Sequence, residues 1–195
     1  MTTEQRQLLP REERRASIMG AAARAFAHEG YAGTSMDDVA AEAGVTKLIV
    51  YRHFESKDEL YRSLLESIST RMRQEFLRQK DAEPPGHAIG AMLALAREEP
   101  DAVRLLFFHA MREPQFIDAV LAQRQAAIDL CDHLLGDALP DPVLKTWAAE
   151  TIVSYLSAAV LSWLDHGDPA RDDEFVELAT AGLAALYLSW VPTDP

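Results

Sequence analysis

Lys47, Arg52 and Lys57 lie close together in the chain, with Glu55 the one acid between Thr46 and Lys57. Cations gathered on a short segment suit an oxyanion partner, and the residues from Thr34 to Lys57 say how they would be presented. Ser35 suits the cap of a helix that carries Val39, Ala40 and Ala43 on one face, and Gly44 then supplies a tight turn where a side chain would clash. Ala40 is small enough for a close helix crossing, and Val45, Val50 and Phe54 hold a second helix against the core. Two short helices at a steep angle form a device for reading a DNA groove.

With Val50 and Phe54 inward, about 100° of rotation per residue turns Leu48 and Arg52 most nearly outward, with Ile49 and Tyr51 on the flanks. Thr46 and Lys47 stand at the helix start, which enters a groove first. Arg52 suits a bidentate pair with guanine, or a solvated ion pair with Glu55 or Glu59. Leu48 and Ile49 suit thymine methyls, or packing against neighbouring helices. Arg14 and Arg15 either touch flanking DNA or form an ordinary solvated face.

Gly30-Tyr31, Thr34-Ser35, Val39-Ala40, Ala43-Gly44-Val45, Tyr51, His53-Phe54 and Ser56-Lys57-x-x-Leu60 together resemble the DNA-binding domain of TetR-type (tetracycline-repressor-like) transcriptional regulators, over roughly residues 11 to 62. Leu48 departs from the pattern, since many members carry a small residue there. The resemblance implies phosphate contacts from Ser35, Tyr51, His53 and Lys57, the last helped by the amino-terminal dipole of the following helix. It also implies a homodimer on a palindromic operator, repression by default, and release by a small effector that tilts that helix.

The elements that must position these residues read as all-α. Apolar residues recur at three- and four-residue spacing and no stretch alternates like a strand. Residues 1–10 lack periodicity and are expected to be mobile. A helix from about Arg11 to His28 turns Ile18, Ala22, Ala25 and Phe26 inward and stops at Gly30, and the helix-turn-helix pair completes a DNA-binding domain at 11–56. Ser56-Lys-Asp-Glu59 reads as a capping box opening a long helix to about Lys80, and Glu83-Pro-Pro-Gly86 breaks the chain. Further helices are expected at about His87 to Glu98, Pro100 to Arg112, Pro114 to Leu135, Pro142 to Asp165 and Asp172 to Trp190. Residues 57–195 then form a larger helical body for effector binding and dimerisation.

Charge argues at first against nucleic acid, because the 195-residue chain carries 19 Lys and Arg against 31 Asp and Glu, net −12. The imbalance is local: residues 1–62 are net −1 and residues 63–195 net −11. A weakly charged head on an acidic body leaves base readout to supply much of the discrimination. The polar start shows no secretory signal, and the longest uncharged apolar-rich stretch, Thr151 to Leu164, is 14 residues, below the roughly 18 to 20 that span a bilayer. With Cys131 the single cysteine, the expectation is a cytoplasmic protein without a disulfide or membrane contact.

One head contacts few bases, so a dimer reading two half-sites is expected. Trp147, Thr151, Tyr155 and Ala158 form one stripe and Phe175, Leu178, Ala179, Gly182, Leu183 and Leu186 another; the resemblance makes them a four-helix dimer interface, intrachain core being the other reading. Met72, Phe76, Met92, Leu95, Phe107, Met111, Trp147 and Tyr155, with Leu106, Phe116, Leu121 and Trp163 nearby, offer large apolar surfaces, several of which are expected to line a pocket, plain core being the other reading for each; the resemblance implies a small effector there, expected to be apolar or aromatic. His109, Arg112, Gln125 and His133 are its polar candidates. No glycine-rich phosphate loop, nucleophile elbow or His-Glu-x-x-His is present, Asp129 and His133 lack a third metal ligand, and Cys131 and His133 point apart on a helix. Neither cofactor nor metal is expected, and an enzyme ranks below a regulator or a helical adaptor that keeps the fold without DNA binding.

Overall fold

The computed structural model describes residues 10–79 and 87–191, and within them the chain forms nine α-helices and no strand. All but Pro10 of the expected mobile start at 1–10, the end of the long helix at Lys80 and the Glu83-Pro-Pro-Gly86 break lie outside the described residues.

Helix α1 (Arg11–Gly33) buries Ile18, Ala22 and Phe26 and half-buries Ala25. Its regular course ends at Gly30, whose φ of 73° is open to glycine at little cost. The Thr34 hydroxyl, buried below the kink, bonds the Gly30 carbonyl at 2.8 Å and lies 3.2 Å from that of Ala25, satisfying acceptors the helix end exposes. Helices α2 (Met36–Glu42) and α3 (Lys47–His53) follow. Between them the Val45 N–H donates to the Ala40 carbonyl at 3.0 Å, while Gly44 adopts φ 63°. The expected clash at Gly44 is absent: a Cβ there would meet no atom within 4 Å, so the turn demands glycine for its backbone angle and not for space.

Helix α4 (Lys57–Gln79) starts on a capping arrangement shifted by one residue from expectation. The Glu59 N–H donates to the Ser56 hydroxyl, but the Glu59 carboxylate accepts from the N–H of Glu55 rather than of Ser56. Leu60, Tyr61, Leu64, Leu65 and Ile68 of α4 share one buried cluster with Ile18, Val50 and Phe54 of the head and with Leu93, Leu105 and Phe116 of the body. A quartet of rings sits at this junction: Tyr61 stacks on Phe116 at 4.4 Å, with Phe26 and Tyr31 edge-on to Tyr61 at 4.9 and 5.1 Å.

In the body, α5 (His87–Glu98) packs on α4, α8 and α9, and α6 (Pro100–Arg104) packs on α1. The single helix expected from Pro100 to Arg112 is instead three turns of different pitch. The Ala110 N–H reaches back five residues to Leu105, making Leu105–His109 a π turn, and Ala110–Arg112 tightens to 3-10. The wide turn rotates the faces, so Leu105 and Leu106 are buried while the adjoining Phe108 meets solvent. Helix α7 (Ile117–Leu135) follows a 3-10 turn at Pro114–Phe116 and packs along α8 (Pro142–His166). The Asp141 carboxylate caps α8 by accepting from Val143 and Leu144.

At 25 residues α8 spans close to the helix expected from Pro142 to Asp165 and, taken beyond its 14-residue uncharged stretch, has the length and apolar composition of a membrane span. The helix continues through Glu150 and Asp165, and seven of its side chains, from Ala148 to Leu164, are buried within the protein. The chain turns at Gly167, where a Cβ would fall 2.3 Å from the Trp163 ring. It then enters α9 (Asp172–Trp190), whose Asp172 accepts from Trp163 at 2.6 Å and from Arg97 at 2.9 Å.

Candidate nucleic-acid interface and internal cavity

Helix α3 is amphipathic in the narrowest sense. Val50 is wholly buried, and Phe54, just beyond the helix, is nearly so. Thr46, Lys47, Leu48, Tyr51 and Arg52 are exposed around the other side. Leu48 is 63% exposed, whereas Ile49 is half-buried against the core, which separates two residues that the sequence left together. Thr46 caps the helix without using its hydroxyl. Arg52 pairs with neither Glu55 nor Glu59, and among the described residues it meets no carboxylate.

Lys47 donates to Asp37 of α2 at 2.7 Å and lies 5.9 Å from the Tyr51 ring centre. Both members of that pair are more than half exposed, so water and salt screen it and a phosphate can compete for the lysine. The Ser35 hydroxyl is engaged in the cap of α2, where it accepts from the Asp38 N–H, and the Asp38 carboxylate accepts from the Ser35 N–H at 2.8 Å. His53 is half-buried. Burial first, then the nearby cations of Arg11, Arg15 and Arg14, hold its imidazole below the usual histidine value.

Two cations are committed inside the fold. Lys57 donates to the backbone carbonyls of Tyr31 and Thr34 and sits over the Tyr31 ring. The Tyr31 hydroxyl in turn donates to Asp58, and burial with that carboxylate keeps the phenol well above its ordinary pKa. Arg15 donates to the His53 carbonyl at 3.0 Å and to the Ser63 hydroxyl at 3.1 Å, and its guanidinium lies 4.1 Å from the Phe54 ring centre. Neither the flanking-DNA nor the solvated-face reading of Arg15 describes this. It closes the end of α3 onto α4.

Behind the head, a cavity of about 710 Å³ lies among α4, α5, the π turn, α7 and α8. Six residues expected in its wall are there: Met72, Phe76, Met92, Leu106, Phe107 and Met111. Six are not, Phe116, Leu121 and Trp163 among them. Leu95 is buried in the core, and Trp147 is 51% exposed with its ring 5.0 Å from Trp190. Tyr155 turns towards α9 and donates to the Ala179 carbonyl at 2.9 Å. A period of 3.6 places these side chains on a helix face but does not say which neighbour that face meets.

The polar groups that do line the cavity, Arg62, Glu66, Arg73, Gln123 and Arg124 among them, are not His109, Arg112, Gln125 or His133. Arg62, Glu66 and Arg73 remain exposed at its rim while Gln123 and Arg124 are half-buried, and the packing of α4 beside α7 brings them to one cleft. Cys131 also lines it, and burial pushes its thiol up to about 11, so it is neutral at pH 7. Asp129 accepts from Gln125, and no group of three metal-ligating side chains forms among the described residues.

The expected interface residues divide. Ala158 and Leu178 are exposed, the latter by 65%, and Thr151 and Leu186 are half-buried. Phe175 stacks on Trp163 at 4.9 Å, and Leu183 packs on the core. Gly182 faces the Tyr155 hydroxyl so closely that a Cβ would lie 2.5 Å from it. The small residue at 182 thus serves α8 against α9 within one chain.

A three-helix head with one exposed reading face, joined through a shared helix to a hollow helical body, defines the class: a helix-turn-helix regulator with a separate sensing compartment. Residues 18–64 match the family described as bacterial regulatory proteins, tetR family. The HTH-type transcriptional activator FasR of Mycolicibacterium smegmatis is 32% identical, over 94% of this chain and 87% of FasR. A TetR-like transcriptional regulator from Rhodococcus sp. RHA1 superposes with a TM-score of 0.70 at 26% identity, covering 91% of this chain and 99% of that one. AibR, solved with isovaleryl coenzyme A and operator DNA, has the same fold at a TM-score of 0.65 and 22% identity, over 87% and 97% of the two chains. The chain belongs to the TetR family, and it is a DNA-binding transcriptional regulator.

Proposed function

We propose that the protein acts in the bacterial cytoplasm, and not as an enzyme, as a homodimeric repressor that holds a palindromic operator and lets it go when a small effector enters the 710 Å³ cavity. The observation that carries the reading is the exposed row Thr46, Lys47, Leu48, Tyr51 and Arg52 on a helix anchored by fully buried Val50. Arg52 is the base reader, Leu48 the thymine-methyl contact, and Lys47, Tyr51 and His53 hold phosphates. Ser35 adds a phosphate contact only through whatever its cap leaves free.

The dimer is supported by the exposed apolar surface on the last two helices, including Leu144, Trp147, Leu178 and Leu188, beside Ala158. Large apolar side chains left in water along the same two helices support an interface there. The head at 11–56 and the body at 57–195 then communicate through α4, whose Met72 and Phe76 line the cavity while its first turns pack on α1 and α3.

Selection of bound sequences from a random DNA pool tests this reading. Two inverted half-sites about one or more helical turns apart are expected. Recovery of no sequence preference would instead support a helical adaptor. A reporter fused to the selected operator, read with and without the protein, decides between repression and the activation for which FasR is named.

A further inference from the structure

The effector reading above leaves the ligand's chemistry open, and the cavity wall narrows it. Its interior is apolar, formed by side chains such as Met72, Phe76, Met92 and Leu156. Its charged residues are three arginines, Arg62, Arg73 and Arg124, against one acid, Glu66. This cationic excess contrasts with residues 63–195, which taken whole are net −11. Arg62 is engaged, donating to the Gln115 carbonyl and lying 5.0 Å from the Phe116 ring centre. Arg124 donates to the Ser154 hydroxyl; among the described residues Arg73, which is exposed, has no hydrogen-bond partner and neither arginine pairs with a carboxylate. In the same wall the Gln123 side-chain oxygen is buried and unpartnered. A half-turn of that amide offers its NH₂ group instead, a donor for an anion.

We propose that the effector is an anionic amphiphile, with an apolar chain in the Met- and Phe-lined interior and a carboxylate or phosphate head held by Arg73 and Arg124. The inference rests on the cavity being the effector site. Two guanidinium forks without acid partners in the wall of one cavity match an oxyanion, and their field favours an anionic head over a neutral or cationic one.

Calorimetric titration of the full-length protein with decanoate, decyl phosphate, decanol and decyltrimethylammonium tests it. At least one anion is expected to bind about tenfold or more tighter than decanol, as charge-assisted hydrogen bonds allow, and the tighter of the two identifies the head. The Arg73→Gln/Arg124→Gln double variant should bring the anion down to the level of decanol, while Arg73→Lys/Arg124→Lys should keep part of the preference. Decanol binding as tightly as both anions, or the ammonium binding tightest, overturns the anionic head and leaves an apolar effector site standing. Binding by none of the four overturns the cavity as an effector site, and this inference with it. An anion preference that survives loss of both arginines overturns their role.

Discussion

The Lys57 ammonium lies 4.2 Å from the centre of the Tyr31 ring while donating to the Tyr31 and Thr34 carbonyls at 2.8 and 2.9 Å. It therefore pins the chain leaving α1 to the first turn of α4, and two of its three protons are spent there. Lys57→Ala should lower stability by roughly 1–3 kcal/mol, the scale of charged hydrogen bonds lost from a half-buried site, read as a shift in the urea midpoint. An unchanged midpoint with weakened DNA binding would return Lys57 to the phosphate role that the family resemblance implies.

Arg52 is exposed and, among the described residues, meets no carboxylate. Arg52→Ala should cost roughly 1–3 kcal/mol on the selected operator and relax preference at one base pair per half-site. Equal loss on every sequence in the pool would remove Arg52 from base readout.

His53 gives a pH dependence whose sign follows from its depressed pKa. The folded value lies below the unfolded one of about 6.5. Protonation therefore favours unfolding, and the histidine's contribution is lost as pH falls from the unfolded value through the folded one. His53→Gln should flatten that part of the acid-side decline. A phosphate at His53 would pull its pKa back up, so DNA affinity should gain a proton-coupled increase below about pH 6.5 that the variant lacks. Parallel affinity profiles for the two proteins would exclude that contact.

Gly182 and Tyr155 set opposing effects against each other. Gly182→Ala gains about 1 kcal/mol of helix propensity, but its methyl would lie 2.5 Å from the Tyr155 hydroxyl, which already donates to Ala179. Overpacking of this kind costs roughly 1–3 kcal/mol, so thermal stability should fall slightly. With Tyr155→Phe in place, the same change should become neutral or stabilising, since the clashing oxygen is gone. The same loss in both backgrounds would show that the close approach is not the cause.

Leu178, 65% exposed on α9, tests the dimer. Leu178→Glu should yield a monomer by light scattering and sharply reduce binding to a two-half-site operator, with helix content unchanged. A monomeric wild-type protein at micromolar concentration would remove the dimer outright.

The head was legible because its constraints are local. A capping serine, a glycine at the turn and inward Val50 and Phe54 fall within a span where periodicity dictates orientation, and the structure keeps that arrangement. Gly44 shows the limit of such reading: the residue was right, but the reason was its φ and not crowding. The body was legible as helices with boundaries near those found. The turns from Leu105 to Arg112 escaped because a π insertion leaves no mark in a run of apolar residues.

By itself, then, the sequence determined an all-α chain, a helix-turn-helix head and the outward row from Thr46 to Arg52, since each follows from contacts within a few turns. Tertiary structure alone decided which cations face solvent and which are internal ties. Lys57 and Arg15 look like binding residues until carbonyls and rings more than 20 positions away surround them. The cavity belongs to the same category: Arg73, Gln123 and Arg124 become its lining only because α4 and α7 pack beside each other. Helical spacing fixes which side of a helix a residue occupies, and only packing fixes what that side meets.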